Sequence, residues 1–289
     1  MRAWLQVAAL ALCAALAAGC ARAEPPVWVV SDGDSELVLF GSVHVLPPDV
    51  DWASPVLDRT LKRADDVWFE LPVDPAVAEE SSRTALRLGL LPQGQSLSKL
   101  LKPEDAQRMA RVAQAYGVDP AMLEAFQPWL AEMALAGAAF RRAEATDENG
   151  VEEAVSAAAP PSAERRAFET PAEQIGFFVG APMAEQIASL NQTVREMEDE
   201  PDEFTLLVQA WASGDLEAIE RQALDPLRRV APTLFRRLVT ERNARWTVTL
   251  DQRLKGSGRT VVVVGVGHLI GPEGLPARLR ALGYSVKGP

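Results

Sequence analysis

The sequence predicts an α/β protein: a mixed central sheet assembled from both chain ends, carrying a large, mainly helical insertion. Three observations lead there. Apolar, strand-like runs gather near the two ends, at Val27-Trp28-Val29-Val30, Glu36-Leu37-Val38-Leu39-Phe40, Asp66-Val67-Trp68-Phe69-Glu70-Leu71 and Thr260 to Val264. Between about Pro75 and Arg253 the pattern is mainly helical, punctuated by proline and glycine breaks. The two histidines of the chain each close a Gly-x-x-His tetrapeptide after such a run, at Gly41-Ser42-Val43-His44 and Gly265-Val266-Gly267-His268.

Taken in order, the first two runs flank Ser31-Asp32-Gly33-Asp34-Ser35, whose Asp-Gly pair marks a hairpin turn. The second run delivers His44, and Pro47-Pro48 stops regular structure there. Ser54-Pro55 opens an amphipathic helix to about Ala64, with proline suited to the first turn. The Asp66 to Leu71 run then completes a strand-helix-strand crossover, which places Glu70 on the same sheet edge as His44. That edge is where open α/β sheets carry their sites.

In the insertion, Ser98 to Tyr116 and Pro120 to Arg142 read as two helices of a hairpin, and the whole helical block from about Pro75 covers the sheet and walls a cleft. Thr146 to Glu153 is a polar loop leading into a short helix, and Ala157 to Pro161 is a linker. Arg166 to Thr170 reads as another short strand. At the far end Thr260 to Val264 is a fully buried strand, and a helix runs from Gly271-Pro272-Glu273 to Leu282. Gly283 caps it, and Tyr284-Ser285-Val286 is a final strand.

With 289 residues, 48% hydrophobic and 24% charged, the chain can bury a sizeable core. A net charge of −11 argues against nucleic acid as partner, since phosphate binding needs clustered cations. Residues 1–23 read as a leader: a basic start, then an apolar stretch through Ala18 that is short for a membrane span. Two processing sites compete. Ala21-Arg22-Ala23 suits cleavage before Glu24, while Ala18-Gly19-Cys20 resembles a lipobox that would anchor Cys20 to lipid. Both place the protein outside the cytoplasm, in the periplasm or on the bacterial envelope. Cys13 and Cys20 both fall in the leader, so residues 24–289 have no disulfide, thiolate nucleophile or cysteine-bound zinc.

Histidine carries much metal and proton chemistry near neutral pH, and this chain puts both of its histidines at strand ends. His44, His268 and one carboxylate, with Glu70 the leading choice, suffice for a metal site that keeps a position for water. A second carboxylate would serve as general base, and Glu152 and Glu169 are both candidates. The chain has no His-Glu-x-x-His helix, no Gly-x-Ser-x-Gly elbow and no phosphate loop.

Read together, Phe40-Gly41-Ser42-Val43-His44, Asp66-Val67-Trp68-Phe69-Glu70, Gly150-Val151-Glu152, Glu169-Thr170 with Gln174, Trp211 with Gly214-Asp215, Glu241-Arg242-Asn243-Ala244-Arg245-Trp246 and Gly265-Val266-Gly267-His268 resemble the TraB/GumN family, relatives of the Tiki proteins. The resemblance covers essentially all of residues 24–289. It implies a Tiki/ChaN-like fold and a metal-dependent peptidase activity resting on the two tetrapeptides and paired glutamates. His44, Glu70 and His268 match the metal set, Glu152 matches the second glutamate, and Arg242 and Asn243 match a polar pair lining the cleft. The expected reading is an exported hydrolase of a peptide or small molecule using Mn²⁺, Co²⁺ or Zn²⁺, which mixed nitrogen and oxygen ligands do not tell apart. The rival is a non-catalytic envelope protein whose cleft captures haem, a metal ion or a peptide.

Overall fold

The computed structural model describes residues 24–289, so the leader expected over 1–23 lies outside the described residues. Six strands form one mixed sheet: β1 (Val27–Ser31), β2 (Ser35–Ser42), β3 (Asp66–Phe69), β4 (Glu164–Ala167), β5 (Gly258–Gly265) and β6 (Ser285–Lys287). Their order across the sheet is β4-β3-β5-β2-β1-β6, so both chain ends build its centre. β2, β3, β4 and β5 pair in parallel, while β1 pairs antiparallel with both β2 and β6. The β1–β2 hairpin closes where Asp32 Oδ1 accepts from the Ser35 amide at 2.9 Å.

The central strands are apolar because both faces are covered. Val261, Val262, Val263 and Val264 are completely buried, and alternate residues serve opposite cores. Val38, Phe40, Val67, Phe69, Val261 and Val263 face one way, against Leu57, Val151, Val155 and Trp211. Leu37, Leu39, Trp68, Val262 and Val264 face the other, against Trp246, Leu250, Leu275 and Leu279. Burying each such side chain contributes roughly 1.5–3 kcal/mol, so register is strongly fixed: a one-residue slip would exchange the two faces.

The helices that matter for the site are α1 (Pro55–Leu61), α2 (Pro75–Gly89), α3 (Pro103–Ala115), α4 (Pro128–Arg142), α5 (Val151–Ala158), α6 (Pro171–Val179), α7 (Met183–Asp199), α8 (Glu203–Ser213), α9 (Glu241–Leu254) and α10 (Leu275–Ala281). Shorter turns join them, including two wide π-helical turns at Glu220–Leu224 and Arg236–Thr240. The crossover β2-α1-β3 straddles β5, which brings the ends of β2, β5 and β3 side by side. The insertion has its own core around Leu97, Met109, Leu123, Trp129, Leu135 and Leu190, separate from those of the sheet.

Several boundaries differ from the sequence expectation. The segments 98–116 and 120–142 each break at an internal proline, because the preceding Lys102 and Gln127 are held extended, with ψ of 149° and 154°. They do not form a hairpin either: α4 packs mainly on α7, which also takes α3. The alanines of the expected 157–161 linker finish α5 before Pro160 ends it. The strand expected at 166–170 lies at Glu164–Ala167, because pairing with Asp66–Phe69 sets its ends. The last helix starts at Leu275, after a turn in which Gly271 takes a positive φ of 73°.

Candidate active site

The two tetrapeptides lie on neighbouring parallel strands, one residue out of step: Gly41 pairs with Val264 and Ser42 with Gly265. The offset packs one bend into the other, since a Cβ on Gly41 would sit 2.9 Å from Val266 Cγ2. Trp211 Nε1 donates to the Gly41 carbonyl at 2.7 Å, satisfying a backbone group at the turn and tying α8 to it.

Beyond that bend, His44 is brought to Glu152 by backbone pairing. Leu46 and Thr146 exchange amide-to-carbonyl hydrogen bonds of 3.1 Å each. Gly150 then passes so close that a Cβ there would overlap the His44 carbonyl. Glu152 emerges in the first turn of α5, and its Oε1 stands 2.8 Å from His44 Nδ1. Ser42 Oγ donates to the same oxygen. Burial by itself would raise the Glu152 carboxyl, but the His44 charge, these hydrogen bonds and the helix N-terminus hold it low. Glu152 in turn pushes the His44 imidazole up from 6.5 to about 9, against desolvation. The His44 side chain is 59% exposed to the cleft, so water screens part of that attraction.

A second, buried network stands behind this pair. Glu70, one residue past β3, accepts from the Gly265 amide at 2.8 Å through Oε1 and from Arg242 Nη2 through Oε2. Glu169 sits beside it, because its amide donates to the Glu70 carbonyl at 3.0 Å just past the β3–β4 pairing. Arg242 Nε donates to Glu169 Oε1 at 2.9 Å, and Arg245 reaches the same oxygen at 3.2 Å. Arg242 Nη1 stands 3.0 Å from His268 Nε2, and His268 Nδ1 stands 2.7 Å from Asn243 Oδ1. Donation from Nδ1 to that amide oxygen leaves Nε2 as the acceptor for the guanidinium. Asn243 Nδ2 also donates to the carbonyls of His268 and Glu273, which pins the second tetrapeptide. Burial drives the His268 imidazole down to about 3, so it is neutral at working pH, tilted against Trp246 at 4.5 Å between centroids. Desolvation would raise the Glu70 carboxyl, but Arg242, the histidines and the Gly265 amide together hold it well below the usual range.

All seven residues singled out in the sequence therefore meet around the ends of β2, β3 and β5. They divide into an open pair, His44 and Glu152, and a buried set, Glu70, Glu169, Arg242, Asn243 and His268. The halves adjoin at Gly265: a Cβ there would lie 3.2 Å from Glu70 Oε1, 3.6 Å from His44 Nε2 and 3.8 Å from His268 Cδ2. A cavity of about 300 Å³ opens at this point, reached by His44, Glu70, Glu152 and Gln174 but not by Glu169 or His268; Arg242 and Asn243, expected to line the cleft, are buried behind it because they bind Glu70, Glu169 and His268. Sequence reasoning assigned no task to Ser42, which steadies Glu152, or to Gln174, whose Nε2 lies 3.4 Å from Glu70. The helical block expected to wall the cleft does so through α2, which starts at the capped Asp74-Pro75 soon after Glu70.

The donor types suit a divalent cation, and both imidazoles direct Nδ1 at a second group, as metal-bound histidines do. The arrangement does not fit three shared ligands. Arg242 holds His268 Nε2 and Glu70 Oε2, so a guanidinium is already the cation these groups surround. Among the described residues no three histidine, cysteine or carboxylate side chains are disposed to hold a metal ion.

A family model described as the TraB/PrgY/gumN family matches residues 26–288, from the first strand to the last. The chain belongs to that family. Both Gly-x-x-His bends, Glu70, Glu152 and the Arg242-Asn243 pair all lie within the matched residues of this TraB/PrgY/gumN member. It is similar to Uncharacterized protein YbaP of Escherichia coli (strain K12), 23% identical over 257 residues, 89% of this chain and 92% of that protein. The protein of the same name from Shigella flexneri is similar to the same extent. No solved structure matches the chain.

Proposed function

We propose that this family member is a hydrolase of a peptide or small amide in which His44 moves the proton. One observation carries the reading: His44 is held through Nδ1 by Glu152 at 2.8 Å, and it lines a cavity of about 300 Å³. A histidine held through one nitrogen and open at the other is the arrangement of a general base. Neutral His44 takes a proton at Nε2 from a water in the cleft as that water's oxygen bonds to the substrate carbonyl carbon. The carbon–nitrogen bond then breaks, and the same proton passes from the imidazolium to the departing nitrogen, leaving acid and amine. Glu152 keeps accepting from Nδ1 and steadies the charge formed on the ring. The Gln174 amide, a cleft-lining donor, faces the carbonyl oxygen as it becomes negative. Glu70, Arg242, Glu169, Asn243 and His268 form a buried scaffold that fixes the cleft wall and exchanges no proton in turnover.

The test is cleavage of a peptide library by the purified chain, by His44→Ala and by Glu152→Gln. Library cleavage by the wild type that vanishes in His44→Ala supports the reading; equal cleavage by both defeats it.

The partners held at Nδ1 of both histidines favour a second reading, a divalent cation bound on the cleft side. His44 and Glu70 would hold it while Arg242 stays in place, and His268 would join only if the guanidinium turned away; the ion would polarise a carbonyl and acidify its water. Loss of turnover on chelation, restored by Mn²⁺, Co²⁺ or Zn²⁺, selects this reading over the metal-free one. We also propose that the protein is exported, on the leader-like residues 1–23.

A further inference from the structure

The chemistry of the cleft specifies its occupant more narrowly than the hydrolase reading, on which this inference rests. A volume of about 300 Å³ stands at the small end of ligand pockets and admits one or two residues. One wall is apolar, formed by Leu71, Val73, Val77 and Ala78 as the chain leaves β3 and enters α2. The rim is acidic and comes from separate segments: Asp74 caps α2, Asp147 lies in the loop before α5, and Glu153 lies in the first turn of α5. No lysine or arginine lines the cavity.

The deeper carboxylates already have countercharges, Glu152 in His44 and Glu70 in Arg242. Asp74, Asp147 and Glu153 make no ion pair among the described residues, and all three line the cavity while exposed to solvent. Three unmatched carboxylates around one partly apolar cavity focus a negative potential into it, which attracts cations and repels anions. We propose that the cleft takes a peptide or amide in which a small apolar side chain stands next to a protonated primary amine. Asp74, Asp147 and Glu153 select the amine, and Val73, Val77 and Ala78 receive the apolar group. The amine is an α-ammonium or a lysine ε-ammonium, and substrates with a phosphate or carboxylate at that place are turned away.

Binding is measured by fluorescence anisotropy on the full chain carrying His44→Ala with Glu152→Gln, and His44→Gln with Glu152→Gln as a second background, so that no turnover is needed and no further carboxylate is freed in the cavity. The probes are labelled peptides with a valine beside a free or acetylated N-terminus, and the acetylated peptide with lysine, norleucine or glutamate at the next position. Either ammonium should tighten binding about fivefold over its neutral counterpart at low salt, and this gain should shrink in 0.5 M NaCl, as for exposed charges. Asp74→Asn, Asp147→Asn and Glu153→Gln together should remove the preference in either background. A gain confined to the free N-terminus identifies the α-ammonium, and one confined to lysine identifies the ε-ammonium. Equal affinity across the set, tighter binding of the glutamate peptide, or no binding at all would overturn the proposal. Selective binding of ammonium peptides by a chain that cleaves none of them would leave this inference standing and remove the hydrolase reading.

Discussion

Glu152→Gln is the most informative perturbation, because it removes one charge and retains an acceptor for His44 Nδ1. The Glu152 carboxylate, 2.8 Å from the ring, favours the charged imidazole and lifts it from 6.5 to about 9. That lift would correspond to about 3 kcal/mol in a dry site. With the side chain 59% exposed, water screens the pair, and about 1–2 kcal/mol, or about one pH unit, is the expected change. The sign follows from the folded value lying above the unfolded one: the pair's stabilisation is complete below about 6.5 and disappears as pH rises through about 9. The basic form of His44 grows over that same range, so wild-type kcat/KM should climb from neutral pH towards about 9. In Glu152→Gln the climb should begin about one unit lower and reach a lower plateau, since the ring is held less firmly. Two measurements check this: the pH profile, and an NMR titration of the imidazoles. The chain has only two histidines and His268 stays neutral down to about 3, so one ring alone should titrate between pH 5 and 10. A wild-type midpoint near 6.5, or an unmoved limb in the variant, would refute the reasoning.

His44→Ala should abolish hydrolysis while circular dichroism stays near wild type, and thermal melting should show a loss of only about 1–2 kcal/mol, that of the pair, because the ring is exposed and supports no core. Arg242→Ala should destabilise the fold by about 3–5 kcal/mol, since it leaves Glu70 buried without its countercharge and Glu169 with the half-exposed Arg245 alone; denaturant unfolding measures it. Gly150→Ala should lower both melting temperature and kcat, as its Cβ drives the α5 loop off the His44 carbonyl and Glu152 with it. Trp211→Phe should cost about 1 kcal/mol through the unmet Gly41 carbonyl, read in the same unfolding assay. Mass spectrometry of the natively expressed protein should find either a diacylglyceryl group on Cys20 or a mature terminus at Glu24, and an intact Met1 would argue against export.

Much of the fold was legible without coordinates. The valine run at 261–264 read as a strand covered on both faces, and the Asp32-Gly33 turn read as a hairpin reversal; both lie where expected. Both Gly-x-x-His bends at strand ends pointed to one edge of one sheet, and that edge is where they lie. Helix boundaries in the insertion were less legible. Whether a proline starts a helix or splits one depends on what the flanking segments pack against, as at Gln127-Pro128.

Local sequence thus determined the strands, their faces and the residues at their tips, because period, turn chemistry and burial act over a few neighbours. Only the tertiary structure decided which charges meet. The partner of Glu70 is Arg242, 172 residues away, and Glu169 takes the same guanidinium. No neighbouring residue signals such a pairing. It arises where strand order sets β5 between β2 and β3 and α9 closes over their ends, so that buried carboxylates take the cation within reach.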